Sequence, residues 1–258
     1  MTDGPVLEVK GVAKRFMRST TAPFTAIEDL TFSVERGEVV CIVGKTGCGK
    51  STLINLLLGI DVPTEGSIIL DGLSPTEDFH AMKHRLAAVF QSDRLLPWRT
   101  VVDNAALGLE VRGVKRPERV ATAHAWLKMV GLEGWEAAYP SQLSGGMRQR
   151  VAIARAFAMD PVVIILDEAF GHLDEVTAHG LRNDCLSLIR ETGKTAIVVT
   201  HNITEALAIG SRILVLGRPA RLLCSLDIAK QKQRPDWPIR RDQVRDEIFR
   251  TIETESVN

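Results

Sequence analysis

The stretch that decides the fold is a glycine-rich loop between two apolar runs, Gly44-Lys45-Thr46-Gly47-Cys48-Gly49-Lys50-Ser51-Thr52. Residues 39–43 before it are mostly β-branched and predict a strand buried on both faces, and residues 53–58 after it predict a helix. Gly44, Gly47 and Gly49 allow successive backbone N–H groups to turn toward one centre, where the helix N-terminus adds its positive end. The loop therefore predicts a phosphate-binding site.

Two side chains of this loop indicate which kind of phosphate ligand it binds. Lys50 can reach the terminal phosphates of a nucleoside triphosphate, and the Ser51 hydroxyl is placed to ligate the Mg²⁺ that accompanies them. The alternative is a glycine-rich turn with a solvated lysine, which the strand before the loop and the helix after it disfavour. We therefore expect a nucleoside triphosphate site.

The composition excludes several classes of protein. A chain of 258 residues suffices for one large domain rather than two, and 32 basic against 32 acidic residues argue against nucleic acid as a partner. No stretch approaches the roughly 18–20 uninterrupted apolar residues of a membrane helix, and residues 1–5 lack the pattern of an export signal. The four cysteines have no paired spacing, which favours small buried residues over disulfides or zinc ligands. We expect a soluble or peripheral cytoplasmic protein.

An antiparallel β layer is predicted before the loop. Residues 6–10 and 31–34 have strand patterns, and an Arg36-Gly37 turn follows the second of them. Phe16 lies between these strands and has two interpretations that remain open at this point: an exposed aromatic that stacks on an adenine ring, or an ordinary core residue.

Strands and helices alternate through the rest of the chain. Apolar runs predict strands at 67–70, 86–90, 162–166, 195–199 and 213–216. Helical periodicity is found at 101–111, 117–130, 147–158, 178–190 and 242–252. This pattern predicts an α/β fold with a mostly parallel sheet. We expect one domain over 1–258, with a core from 1–91 and 161–226, a helical subdomain over 92–160, and a solvated appendage over 227–258.

A carboxylate pair marks the second half of the site. Asp167 and Glu168 follow a predicted strand, at the edge where open α/β sheets bind ligands. Asp167 can anchor Mg²⁺ through its water shell, and Glu168 can orient or deprotonate an attacking water. An acidic pair at a helix N-terminus is the alternative for these two residues taken alone.

A third feature is a helix start that contains two glycines. Ser144 is a good N-cap, but Gly145 and Gly146 weaken the first turn by about 1 kcal/mol each. Bare backbone N–H groups beside a serine hydroxyl make a second phosphate-binding surface. Since the chain has one set of acids for two such surfaces, we expect the second to serve the nucleotide of another copy.

The order and spacing of these motifs resemble the nucleotide-binding subunits of ABC transporters over nearly the whole chain. Gly44 to Thr52 is similar to the Walker A motif, Val163 to Asp167 to the Walker B motif, and Leu143 to Gln149 to the signature motif. The resemblance implies a P-loop NTPase (RecA-like) core with an N-terminal antiparallel β layer and an inserted α-helical subdomain. It also implies ATP and Mg²⁺, hydrolysis of ATP, and a dimer with a second copy or a homologous ATPase.

The resemblance assigns roles to individual residues. It implies that Glu168 is the catalytic glutamate, that Gln91 is the Q-loop residue near the metal, and that His201 contacts the γ-phosphate. It places Asp174 in the D-loop and Phe16 at the position of the adenine-stacking aromatic.

Two residues depart from the family pattern. Ala169 stands where a proline is usual, and His172 stands where a small residue is usual. Neither change removes a catalytic group.

A narrower resemblance concerns the segment after the Q-loop. Residues 91–101 and Asn104 are similar to ATPase subunits of nitrate, taurine and alkanesulfonate importers. By analogy Leu95, Leu96 and Trp98 dock on a permease subunit; equally, they form an apolar turn that packs the helical segment onto the core.

The resemblance also implies the partners and the location of the protein. These are integral membrane permease subunits at the cytoplasmic face of the cell membrane and, indirectly, an extracytoplasmic solute-binding protein. Nucleic acid is not among the expected partners. The rival functions are an exporter ATPase, a soluble ABC-type ATPase that acts on nucleic acid or the ribosome, and, less favoured, a P-loop kinase.

Overall fold

The computed structural model describes residues 4–18, 21–82, 84–171 and 173–255. The chain divides into two compact units, one made of Met1–Met82 and Thr195–Asn258 and the other of Lys83–Lys194. His172, one of the two departures from the family pattern, lies outside the described residues.

The regular elements are numbered in chain order. The strands are β1 (Leu7–Arg18), β2 (Thr21–Val34), β3 (Val39–Gly44), β4 (Glu65–Leu70), β5 (Leu86–Val89), β6 (Val163–Asp167), β7 (Thr195–Thr200), β8 (Arg212–Leu216) and β9 (Leu222–Asp227). The α-helices are α1 (Lys50–Leu57), α2 (Phe79–Met82), α3 (Val101–Ala105), α4 (Leu107–Val111), α5 (Arg116–Met129), α6 (Gly145–Ala158), α7 (Glu175–Glu191), α8 (Ile203–Ile209), α9 (Ile228–Lys232) and α10 (Trp237–Thr254). A 3-10 turn over Pro140–Gln142 precedes α6.

An antiparallel sheet forms the first layer of the first unit, as predicted. Its strands lie in the order β2-β1-β4, and both neighbouring pairs are antiparallel. The predicted strands 6–10 and 31–34 cover only the ends of β1 and β2, so the placement of Phe16 between two strands is wrong: it lies on β1. The register shifts several times along this pair, with positive φ at Gly11 and Asp29. Because bulges interrupt the alternation of polar and apolar residues, periodicity detects only the regular ends.

The parallel strands place the phosphate loop. In the first unit β3 lies between β7 and β8 and is parallel to both, and β9 adds to β8 in the antiparallel direction. Every residue of β3 and β7 is buried, as expected for strands covered on both faces. In the second unit β5 pairs with β6, also in parallel. The predicted α/β class with a mostly parallel sheet is confirmed.

Helices dominate the second unit. The single helix predicted at 101–111 is two short helices, α3 and α4, joined at Ala106. Gly108 sits in the first turn of α4, where a Cβ atom would lie 2.2 Å from Met159 Sδ. The close approach of the Met159 side chain thus favours glycine here, although glycine is a poor helix former.

The C-terminal segment contains the helix predicted at 242–252, within α10, but it packs against the rest of the first unit and is not the solvated appendage that the sequence predicts. Helix α10 packs on α8 and β8, and its Val244 and Ile248 are buried. The polar composition of the segment hides this packing because only one stripe of α10 faces the core. Within the described ranges, no helix combines the length and the apolar character needed to cross a membrane.

Candidate functional site

The phosphate loop has the strand-loop-helix form that the sequence predicts. It joins the end of β3 to α1, whose N-cap is Gly49 with φ of 119°. A Cβ atom at Gly49 would lie 2.4 Å from the Ala26 carbonyl oxygen, and Gly47 has φ of 76°. These two glycines are therefore required by the path of the backbone, which an L side chain would strain.

Lys50 lies over the loop that it follows in sequence. Its Nζ donates hydrogen bonds to the carbonyl oxygens of Gly44 at 2.7 Å and Lys45 at 2.9 Å, and the residue is 8% exposed. The next residue of α1, Ser51, is exposed, and Thr52 is half-buried. A cation, a hydroxyl and a helix N-terminus thus share one loop, which is the chemistry that a polyphosphate requires.

Phe16 lies on the surface of β1 rather than in the core. It is 37% exposed, stands opposite Phe24 of β2, and has Lys14 Nζ at 4.9 Å from its ring centroid. The core interpretation of Phe16 is therefore excluded. An exposed ring beside a cation is suited to stacking on a planar base.

In the second unit, two residues predicted to ligate Mg²⁺ lie at the ends of neighbouring strands. Gln91 follows β5 and Asp167 ends β6, and both line a cavity of about 380 Å³ with Phe90, Ser92 and Arg94. An amide oxygen and a carboxylate are donors that Mg²⁺ accepts, and Mg²⁺ usually retains waters and substrate phosphates. The donor chemistry of Gln91 and Asp167 therefore fits Mg²⁺.

Glu168 has an unusual backbone. Its φ is 47°, a left-handed conformation that a residue other than glycine rarely adopts, and its carbonyl oxygen accepts a hydrogen bond from Gly171 N at 3.1 Å. The following Ala169 and Phe170 are buried. Backbone strain of this kind is concentrated at functional sites, and here it occurs at the first residue after β6.

Helix α6 begins as the sequence predicts. Ser144 is its N-cap, and the Ser144 hydroxyl accepts a hydrogen bond from Met147 N at 3.3 Å. The two glycines of the first turn have different surroundings. A Cβ atom at Gly146 would lie 2.7 Å from Thr177 Cγ2 of α7, whereas one at Gly145 would meet Leu173 Cδ2 at an ordinary 3.5 Å. Packing thus accounts for Gly146 and leaves Gly145 available as bare backbone toward a ligand.

The same helix holds the segment after β5, a feature that the sequence reasoning missed. Gln149 Nε2 donates to the Phe90 carbonyl oxygen at 3.1 Å, and Arg148 Nε donates to Asp93 Oδ2 at 3.0 Å. Arg155 donates to the carbonyl oxygens of Asp93 at 2.6 Å and Arg94 at 2.8 Å, and burial lowers its pKa. Partners separated by 55 to 62 residues leave no local pattern that could have revealed these contacts.

Asp174 and His201 lie at or just before the start of a helix. Asp174 is the N-cap of α7, where its Oδ1 accepts a hydrogen bond from Thr177 N at 3.0 Å, and this bond lowers its pKa. His201 follows β7 and precedes the Asn202 N-cap of α8, and its side chain is exposed. Capping accounts for Asp174 in the structure, and the D-loop role remains a prediction.

The turn that carries Leu95, Leu96 and Trp98 is held by hydrogen bonds from a buried side chain. Asn104 is fully buried; its side chain accepts from Leu96 N at 2.7 Å and donates to the carbonyl oxygens of Leu96, Arg99 and Thr100. Leu95 and Leu96 are half-buried, and Trp98 is 72% exposed. An exposed tryptophan on an ordered turn does not serve internal packing, which favours the docking interpretation over the packing one for Trp98.

Each unit therefore contains a coherent part of the predicted site. The first unit brings together Gly44, Gly47, Gly49, Lys50, Ser51 and Thr52 on one loop, and it also contains Phe16, on β1, and His201, after β7. The second unit brings Gln91 and Asp167 to one cavity, with Glu168 next to Asp167, and places Ser144, Gly145, Gly146 and Asp174 at helix N-termini.

Comparisons with known proteins identify the family of the chain. Residues 27–171 match the family described as ABC transporter. The taurine import ATP-binding protein TauB of Rhizobium johnstonii is 44% identical over 205 residues, 79% of this chain and 76% of that protein. TauB of Escherichia coli K12 is 43% identical over 199 residues, 77% of this chain and 76% of that protein.

A solved structure is similar over most of the chain. It is the ATP-binding cassette MJ0796, a dimer in a post-hydrolysis state bound to ADP and Pi, with a TM-score of 0.75 and 33% identity over 86% of this chain and 98% of that one. Taken with the phosphate loop and the carboxylate pair, these matches show that the chain belongs to the ABC transporter family and is an ATP-hydrolysing cassette of that family.

Proposed function

We propose that this chain is the ATPase subunit of an importer for a small anionic solute of the taurine and sulfonate class. Its single strongest support is the 43–44% identity to taurine import ATP-binding proteins over three quarters of both chains. The exposed Trp98 on a turn held by Asn104 provides the surface through which such a subunit would contact a permease.

The first unit would bind the nucleotide. The backbone N–H groups of the phosphate loop and the Lys50 ammonium neutralise the β- and γ-phosphates, while Ser51 gives its hydroxyl oxygen to Mg²⁺. Phe16 stacks on the adenine, and the exposed His201 side chain donates a hydrogen bond to a γ-phosphate oxygen.

The second unit would supply ligands for Mg²⁺ and the residue that positions the attacking water. Gln91 and Asp167 hold the Mg²⁺ shell, and Glu168 accepts a hydrogen bond from the attacking water. The water oxygen bonds to the γ-phosphorus as the bond to the bridging oxygen of ADP breaks, and the products are ADP, phosphate and a proton. An ordinary glutamate is a weak base at neutral pH, so positioning of the water contributes more than proton abstraction.

A second copy, or a homologous ATPase, would complete the site. Lys50 stands at the N-terminus of α1, and Ser144, Gly145 and Gly146 form a second helix N-terminus that is suited to phosphate. In the proposed dimer this second surface binds the partner's nucleotide and Asp174 lies near the contact, so that closure requires two bound ATP molecules.

The proposed assembly places the chain peripherally at the cytoplasmic face of the membrane. Leu95, Leu96 and Trp98 meet the permease, and an extracytoplasmic binding protein delivers the solute. Closing and reopening of the ATPase dimer would then move the permease between its two states.

The test replaces Glu168 and compares it with a neighbouring acid. Glu168→Gln should leave ATP binding unchanged and slow hydrolysis by about a hundred- to ten-thousandfold, and Glu175→Gln, in the first turn of α7, should hydrolyse at the wild-type rate. Wild-type turnover by Glu168→Gln would contradict the catalytic assignment.

The solute is tested with the chain in vesicles together with its permease and binding protein. Taurine or an alkanesulfonate on the binding-protein side should stimulate hydrolysis. Stimulation only by solute on the ATP side would instead indicate an exporter.

A further inference from the structure

The position of His201 is tied to helix α8. Asn202 caps α8 by accepting from Glu205 N at 3.0 Å, and Asn202 N donates to Thr200 Oγ1 at 3.0 Å. The Thr200 hydroxyl in turn donates to the Glu205 carboxylate. His201 lies between these bonded residues, so a displacement of α8 would displace the imidazole.

The C-terminal segment holds the other end of α8. Lys232 Nζ donates to the carbonyl oxygens of Ala208 and Gly210, both at 3.0 Å. These carbonyls lie where a helix leaves acceptors without intrahelical partners, and an ammonium group also complements the negative end of the helix dipole. Helix α9 is itself anchored, because the N–H groups of Ile228 and Ala229 both donate to Ser211 O at 2.8 Å.

Helix α10 covers α8 from outside. α8 packs on β3 and β7 and also on α10, so it lies between the sheet and the C-terminal helix. The end of α10 is fastened by the ion pair between Arg221 and Glu255 at 2.7 Å. At the N-terminal end of α8, Phe249 and Arg245 of α10 line an open cavity of about 460 Å³ that His201 also lines.

We propose that α9 and α10 are positioning elements for His201, with Lys232 and Phe249 as the main contributors. Lys232 fixes the end of α8 and Phe249 bounds the space beside the imidazole, so the C-terminal segment sets the rate of hydrolysis without touching the nucleotide. The inference rests on the proposed contact between His201 and the γ-phosphate. Its physical basis is that a small misplacement of a group that acts in the transition state lowers the rate much more than it lowers binding.

Two matched pairs of variants test the proposal in the full chain. Phe249→Ala is compared with Ile239→Ala, since both residues are exposed apolar side chains of α10, at 53% and 75%, and only Phe249 lines the cavity with His201. Lys232→Met is compared with Lys230→Met on the same helix, and Lys232→Arg retains a donor. Thermal unfolding of each variant shows that it is folded.

The expected result is a loss of turnover alone. Phe249→Ala and Lys232→Met should lower kcat about tenfold with KM for ATP changed by less than about twofold, and Lys232→Arg should recover most of the rate. Ile239→Ala and Lys230→Met should behave as wild type. A loss confined to thermal stability or to KM would overturn the proposal, because purely structural packing would produce that pattern.

A double-mutant cycle with His201→Ala separates this inference from the function it rests on. If Lys232 and Phe249 act through His201, Phe249→Ala should lower single-turnover hydrolysis no further in the His201→Ala background. An equal loss in both backgrounds would overturn the positioning role while leaving the proposed ATPase site intact. Full turnover by His201→Ala alone would overturn both this inference and the proposed role of His201.

Discussion

Alanine substitutions at the two glycines that begin α6, Gly145 and Gly146, should affect stability and ATP hydrolysis differently. Gly145→Ala adds a Cβ atom that meets Leu173 Cδ2 at 3.5 Å, an ordinary contact, and replaces a poor helix former in the first turn of α6. The exchange should therefore stabilise the fold by up to about 1 kcal/mol, which for a chain of this size raises Tm by about 2–4 °C. Because the bare backbone is expected to face the partner's phosphate, the same variant should hydrolyse ATP about a hundredfold more slowly.

Gly146→Ala should behave differently because its Cβ atom would lie 2.7 Å from Thr177 Cγ2. Overpacking of this kind costs about 1–3 kcal/mol, partly offset by about 1 kcal/mol of helix propensity. Thr177→Ser removes the clashing methyl group while its backbone N–H still reaches Asp174, so the double variant should regain the lost stability.

The assays are thermal unfolding, titration with a fluorescent ATP analogue, and steady-state hydrolysis. Gly145→Ala should bind the analogue like wild type, because its own phosphate loop is unchanged. The reasoning is refuted if Gly145→Ala is destabilised by more than about 1 kcal/mol, or if it hydrolyses ATP at the wild-type rate.

Three further predictions follow from single contacts. Gly49→Ala should destabilise the chain by about 2–5 kcal/mol, since φ of 119° is strained for alanine and the added Cβ atom would lie 2.4 Å from a carbonyl oxygen. The Cβ atom of Gly47→Ala would meet no atom within 4 Å, so that variant should cost only about 1–2 kcal/mol. Denaturant titration of both variants measures the difference. Asn104→Ala should cost about 2–4 kcal/mol, because it removes a buried side chain and leaves the backbone groups that this side chain bonds without a partner. Trypsin should then cut faster at Arg99, and an unchanged cleavage rate would contradict the supporting role. The hydrogen bonds from Thr177 lower the pKa of Asp174, so the contribution of Asp174 to stability is present above the ordinary carboxyl pKa and is lost as pH falls through the lowered value. Asp174→Asn should therefore flatten the dependence of Tm on pH below about pH 4. An unchanged slope would assign that dependence to other carboxyl groups.

The chemistry of the site was readable from the sequence because its parts are local. The phosphate loop is nine consecutive residues between a β-branched run and a helix, and backbone freedom at Gly47 and Gly49 is a property of the residues themselves. The capping by Ser144 is equally local, since an N-cap and its N3 residue are three positions apart.

Features that depend on distant residues were missed or misjudged. The sequence places Phe16 between strands, because bulges in β1 and β2 hide the alternation of polar and apolar residues that marks a strand. The hydrogen bonds from α6 to the segment after β5 join residues more than fifty positions apart, and no sequence periodicity reveals such partners.

The sequence by itself determined the class of the fold, the nucleotide loop, the carboxylate pair and the serine-capped helix, because spacing and residue type suffice for local backbone chemistry. Tertiary structure alone decided that Gly146 is bare because Thr177 approaches it, and that the polar C-terminal segment closes over α8. The physical reason is that burial is a property of the surroundings: the same side chain is solvated or packed according to what the rest of the chain brings beside it.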